Sequence, residues 1–254
     1  MKRLVSFILA FLLSLTTLQF TAIAADPSTK GESGELDILS LEDSPEWVTL
    51  LKAAQDETAQ QLLIVSCDGM DASTATLTMH LRTEDGLWKQ ILSAKAYVGR
   101  NGLCPDGERY EGCGKTPIGV YTFNMAFGTA DDPGCTIPYT KVNRYQYWSG
   151  DQREGMCYNR MVDIRDLPGL DKRNSEHLIS NREYKYCLNI SFNAECTPGR
   201  GSAIFLHCAA RRTRSTYGCV AVAEKEMKLI MKNVIPECIV IIDTAENLER
   251  NITE

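Results

Sequence analysis

His207 ends the apolar run Gly201-Ser-Ala-Ile-Phe-Leu-His207, and Cys219 sits 12 residues later in a tight Gly218-Cys219 step that leads into Val220-Ala-Val222. A thiol becomes a strong acyl acceptor when an imidazole is positioned to take its proton, and the same imidazole then protonates a leaving amine. Pairing with an imidazolium also lowers a thiol's pKa, so a thiolate–imidazolium pair is the expected resting state. Gly218 gives the turn a backbone freedom that a side chain would deny. It also opens the backbone N–H groups of Gly218 and Cys219 to an oxyanion. Taken singly, the two residues fit equally well a buried structural cysteine and a core histidine. Cys208 is the rival thiol, but strand alternation turns it away from the face used by His207, which gives it a structural role.

The elements that must hold these groups are mostly strands. Gln61–Cys67 is a short apolar run. Ala75–Leu81 alternates, and Asp85-Gly86 marks a hairpin into Leu87–Val98. Strands are also expected over Thr116–Phe123, Tyr184–Phe192, Gly201–Cys208, Val220–Val222 and Cys238–Ile242. Trp47, Leu50, Leu51 and Ala54 recur at helical spacing within a helix expected over 44–60. A second helix, Glu224–Ile235, buries Met227, Ile230, Met231 and Val234 and stops at Pro236. Ser175–Ser180 reads as one or two helical turns. The fold class is therefore mainly β, a mixed-sheet, β-sandwich-like domain with a few peripheral helices. Tyr139, Tyr147, Trp148 and Tyr158 lie in a long irregular stretch, placed either along a peptide groove or in the core.

Composition limits the function. The 254 residues carry a net charge of −6, which argues against a nucleic-acid binder. Arg211, Arg212 and Arg214 form a local basic loop beside the thiol, suited to an anionic substrate group or simply solvated. Residues 1–25 read as a signal peptide: Lys2 and Arg3, an apolar stretch, then the small-x-small site Ala22-Ile-Ala24. Export follows as an expectation, secreted across the cytoplasmic membrane to the cell wall or periplasm or beyond, with no stable membrane insertion after cleavage. Residues 26–43 read as a flexible linker, 61–243 as the main domain and 244–254 as a polar tail.

Of the 10 cysteines, Cys104 and Cys113 bracket a polar loop and form the best local disulfide pair, with Cys157–Cys187 a second. No zinc-type spacing occurs, so no metal or cofactor is expected. His80, in a strand, and His177 read as structural. Lys115-Thr-Pro117 lacks the spacing of a phosphate loop.

The segment Thr216-Tyr217-Gly218-Cys219-Val220, preceded by His207, resembles the active-site motif of the L,D-transpeptidase catalytic domain family (YkuD-like; ErfK/YbiS/YcfS/YnhG-like branch). Val98–Gly102, Gly114–Tyr121, Ser175–Ile179 and Gly201–His207 extend the resemblance over about 60–243. It implies that Cys219 is the nucleophile and His207 its base, that Thr216 and Gly218 shape the turn, and that a backbone carbonyl orients the imidazole. It further implies peptidoglycan stem peptides as partners and a thioester formed as D-alanine leaves. Transfer to an amine would give a 3→3 cross-link, and transfer to water an L,D-carboxypeptidase. Tyr217 and Ala221 depart from the commoner pattern, in which a cation follows the cysteine. Tyr217, Arg211, Arg212 and Arg214 are the candidates for holding substrate in its place. A non-catalytic wall-binding protein with Cys219 in a disulfide is the alternative from another class.

Overall fold

The computed structural model describes residues 41–250, so the expected signal peptide, most of the expected linker and the last four residues lie outside it. Eight strands carry the fold: β1 (Gln61–Cys67), β2 (Thr74–Arg82), β3 (Trp88–Tyr97), β4 (Thr116–Gly128), β5 (Cys187–Ile190), β6 (Phe205–Cys208), β7 (Val220–Val222) and β8 (Ile239–Thr244). Their order is β3-β7-β6-β5-β4-β8-β1-β2, and β2 pairs again with β3, so the ladder closes on itself. The β6–β7 and β8–β1 pairs are parallel; the others in the ring are antiparallel.

The apolar runs follow from where the faces point. β1 is apolar at nearly every position because both of its faces are covered. Leu63, Val65 and Cys67 join the main core, while Leu62 and Ile64 face a second cluster with Val48, Leu51, Ala54, Trp88 and Leu248. The main core also takes Met227, Ile230, Met231 and Val234 from the end of helix α1 (Glu224–Asn233) and its cap. A third cluster, under the thiol segment, is aromatic. Phe205 lies 5.1 Å from Phe127, 4.8 Å from Trp148 and 5.5 Å from Tyr184, all edge-on. Such contacts add about 0.5–1.5 kcal/mol each beyond burial and fix ring orientation.

Several expectations are corrected. The helix over 44–60 is two short helices, Glu46–Thr49 and Lys52–Gln55, because Leu51 between them is extended (ψ 138°) to reach the second cluster. Glu42–Asp43, at the end of the expected linker, pairs with β3, and Asp43 forms an ion pair with Lys89 at 2.5 Å. Glu176–His177 is a strand pairing with Gln146–Trp148, followed by a 3-10 turn at Leu178–Ser180. The tail contains the helix Ala245–Arg250, which buries Leu248. All 10 cysteines are free thiols. Cys157 is exposed whereas Cys187 is fully buried in the aromatic cluster, so those two do not meet. Cys104 and Cys113 are neighbours but unbonded; burial pushes the Cys104 thiol up to about 11.

Among the described residues no helix is long and apolar enough to cross a membrane.

Candidate active site

The site is built on the parallel pair β6–β7. Their register sets His207 opposite Ala221 and Leu206 opposite Val220. Alternation along β6 sends Leu206 and Cys208 into the main core and leaves His207 on the opposite face. Cys219 stands one residue before β7, at the edge of the aromatic cluster. His207 and Cys219 both line one cleft of about 870 Å³.

The imidazole is oriented by main chain. His207 Nδ1 lies 2.9 Å from the Cys208 carbonyl oxygen. A carbonyl only accepts, so Nδ1 carries the hydrogen and Nε2 of the neutral ring carries the lone pair. Tyr184 packs edge-on against the ring at 5.5 Å and gives its hydroxyl proton to a hydrogen bond with Glu176.

The Cys219 sulfur accepts from the Phe205 N–H at 3.4 Å, and its S–H donates to the Ala203 carbonyl at 3.1 Å. Ala203 is held at φ +56°, a left-handed conformation that only a few non-glycine residues adopt. Burial, with the nearby Glu176 charge adding to it, pushes the Cys219 thiol up to about 12; the Phe205 N–H and Arg109 oppose the shift. Burial also holds His207 below the ordinary histidine range. Both groups therefore rest neutral. The expected thiolate–imidazolium pair is not the resting state, because neither charge is solvated here.

The turn before the thiol is clamped by two hydroxyls. Thr216 Oγ1 donates to the Cys219 carbonyl at 2.6 Å and accepts from the Gly218 N–H at 3.1 Å. Thr116 Oγ1 donates to the Gly218 carbonyl at 2.8 Å and accepts from the Gly99 N–H at 2.8 Å. The Gly218 N–H, expected to face an oxyanion, is thus directed at Thr216 instead. Gly218 has φ +136°, and a Cβ there would stand 2.9 Å from the Lys115 carbonyl oxygen.

Of the other candidates, Tyr217, Arg212 and Arg214 line the cleft, and Arg211 does not. Tyr217 is 75% exposed, with the Arg100 guanidinium 4.4 Å from its ring. Trp148 belongs to the aromatic cluster, Tyr147 stacks on His177 at 4.4 Å, Tyr158 donates to Glu111, and Tyr139 donates to the Ala130 carbonyl. None of the four lines the cleft. His80 is fully buried between Ser44 and Thr78, and His177 is held by Ser180 and the Arg144 carbonyl. The sequence reading missed Thr116, Arg109, Glu176 and Tyr184. Thr116 was visible inside Lys115-Thr-Pro117, weighed there only against phosphate binding. The others carried no spacing signal. Among the described residues no group of three or more His, Cys, Asp or Glu side chains is arranged to hold a metal ion.

A buried thiol, an imidazole with one nitrogen fixed by main chain, and a clamped Gly-Cys turn on a mixed β-sheet are the groups that cysteine acyl transfer uses. The family model of the L,D-transpeptidase catalytic domain (YkuD) matches residues 71–242, and the chain belongs to that family. No curated protein matches it. Among solved structures it is similar to the helical cell shape determining protein Pgp2 from Campylobacter jejuni, with 14% identity and a TM-score of 0.36. That alignment covers 82% of this chain, which spans 62% of the Pgp2 chain.

Proposed function

We propose that this chain is an exported peptidoglycan L,D-transpeptidase that forms its acyl-enzyme on Cys219. The observation that supports this best is the shared cleft, lined both by the Cys219 thiol and by an imidazole whose Nδ1 is already committed to the Cys208 carbonyl. In the proposed reaction His207 Nε2 takes the Cys219 proton as sulfur attacks the carbonyl of the third residue of a stem tetrapeptide. The oxyanion faces the Cys219 N–H, the donor at this turn that Thr216 does not engage. Collapse breaks the C–N bond, and the imidazolium returns its proton to the departing D-alanine amine. An acceptor amine then gives a proton to Nε2 as it attacks the thioester, the C–S bond breaks, and the imidazolium returns that proton to the departing sulfur, leaving a 3→3 cross-link and the free thiol. Water in place of the amine gives L,D-carboxypeptidase activity on the same thiol. Because Cys219 is a free thiol, the structure gives no support to a wall-binding role in which it is locked in a disulfide.

The test is intact-protein mass spectrometry after incubation with a tetrapeptide stem. The expected result is an adduct of the stem less D-alanine, carried on the Cys219 peptide, and cross-linked dimers when an acceptor stem is added. Release of D-alanine without dimers would assign the carboxypeptidase. Unchanged turnover by Cys219→Ala would remove the whole reading. Export is tested separately, by N-terminal sequencing of protein from the fraction outside the cytoplasmic membrane, where the chain should begin near Asp26.

A further inference from the structure

One buried cation on the cleft wall has no carboxylate within ion-pair distance, although Glu111 and Glu176 line the same cleft. Arg109 is 5% exposed and follows the 3-10 turn Asp106–Glu108. Its Nε donates to the Lys115 carbonyl at 3.2 Å and its Nη1 to the Arg200 carbonyl at 3.4 Å. The guanidinium lies 5.0 Å from the Phe192 ring centroid. All of these partners are neutral. Among the described residues no Asp or Glu oxygen comes within the 4.0 Å of an ion pair with it. The neighbouring Arg200, by contrast, is paired with Asp106 at 2.8 Å. A buried guanidinium without an ion-pair partner is costly to the fold, and with Nε and Nη1 donating to main chain, Nη2 is the donor left for a carboxylate.

Its placement is specific. A Cβ at Gly201 would stand 1.5 Å from Nη1, and one at Gly218 3.0 Å from Nη2. The guanidinium therefore occupies a slot that two glycines leave open, with one edge against the residue that precedes the thiol. Arg109 also lines the same cleft as Cys219 and His207.

We propose that Arg109 anchors a carboxylate of the acyl donor and so positions the scissile carbonyl over Cys219. The proposal rests on the transpeptidase reading for its substrate. The carboxylate belongs either to the leaving D-residue or to the side chain of the acylated residue, and the chemistry of recognition is the same.

Alkylation of Cys219 in the full-length protein tests the anchor without any stem peptide. The rates with anionic iodoacetate and neutral iodoacetamide are compared at pH 8.5 by peptide mass spectrometry, with exposed Cys157 as internal reference. Both reagents need the thiolate, so their ratio cancels any change in thiol acidity. The iodoacetate/iodoacetamide ratio at Cys219 should exceed that at Cys157. It should fall about tenfold or more in Arg109→Gln, be largely kept in Arg109→Lys, and survive Arg212→Gln with Arg214→Gln. An unchanged ratio in Arg109→Gln overturns the proposal. So does loss of the preference in the Arg212/Arg214 double variant. Should Arg109→Gln fail to fold, equal ratios at Cys219 and Cys157 in the unmodified protein overturn it. A second arm uses stem tetrapeptides amidated either at the C-terminus or on the third side chain; the one that loses acylation, and no longer responds to Arg109→Lys, locates the carboxylate. Anion preference without acylation by any stem would keep the anchor and refute the transpeptidase substrate. Acylation with a flat alkylation ratio would do the reverse.

Discussion

The Thr116 hydroxyl donates to the Gly218 carbonyl at 2.8 Å, across 102 residues of sequence. With Thr216 on the next carbonyl, it fixes the peptide planes on both sides of the Cys219 Cα, the first of which carries the Cys219 N–H. Replacing either hydroxyl by a methyl leaves a buried carbonyl short of a donor, a loss of about 1–3 kcal/mol. Thr116→Val and Thr216→Val should each slow Cys219 acylation by roughly tenfold. Each should also lower the thermal midpoint. Wild-type rates in both would mean that the clamp does not position the thiol.

Gly218→Ala should be more damaging. Its φ of +136° is closed to ordinary L residues, and the added methyl would meet Lys115 main chain at 2.9 Å and Arg109 at 3.0 Å. Strain of this kind costs about 1–3 kcal/mol before the contacts are counted. Chemical denaturation should show the loss, and acylation should be undetectable even where the protein remains folded.

The two neutral reactive groups give a distinctive pH behaviour. Acylation by a stem peptide requires His207 unprotonated. Since burial lowers its pKa, the rate should stay high as pH falls through 6.5 and drop only below that point. Alkylation of Cys219 by iodoacetamide depends instead on free thiolate, so it should still be climbing at pH 9. An alkylation plateau near neutral pH would reveal a standing thiolate–imidazolium pair and contradict the resting state described above.

Stability should respond to a different histidine. Burial pushes His80 down to about 4, against 6.5 for an ordinary histidine. Above pH 6.5 neither the folded nor the unfolded state binds a proton there. Between 6.5 and 4 only the unfolded state does, so stability declines as the solution is acidified and the loss levels off below 4. The full effect is about 3 kcal/mol. Urea midpoints at pH 7 and pH 4.5 should differ less in His80→Gln than in the wild type; equal differences would show that His80 titrates normally.

The β-strands were readable because burial writes itself as apolar runs. Gln61–Cys67 and Val220–Val222 coincide with the observed strands. His207 and Cys219 were readable because each ends such a run, and the alternation that set Cys208 aside holds in the fold. What the sequence concealed depends on contacts between distant segments. Asp85-Gly86 marks the β2–β3 hairpin, but the meeting of β3 with β7 that closes the ladder is a pairing no local pattern encodes. Arg109 looked like one charge in a polar loop, and only the fold brings it against Gly201 and Gly218. The neutral state of the thiol and imidazole was equally hidden, since residue types suggest an ion pair and only burial decides against it.

The thiol and the imidazole are placed by the β6–β7 ladder and by the Thr216–Gly218 turn, while residues 210–215 between them make no hydrogen bond to either. The connecting loop is tied back at its two ends, by the Ala209 N–H to the Val222 carbonyl at 2.6 Å and by the Thr216 N–H to the Val98 carbonyl at 2.8 Å. Between those points, residues 210–215 carry arginines over the mouth of the cleft. This segment can therefore change in length and charge over evolution, or in the hands of an engineer, as an interchangeable cassette: new specificity can be written there without disturbing the reacting pair beneath.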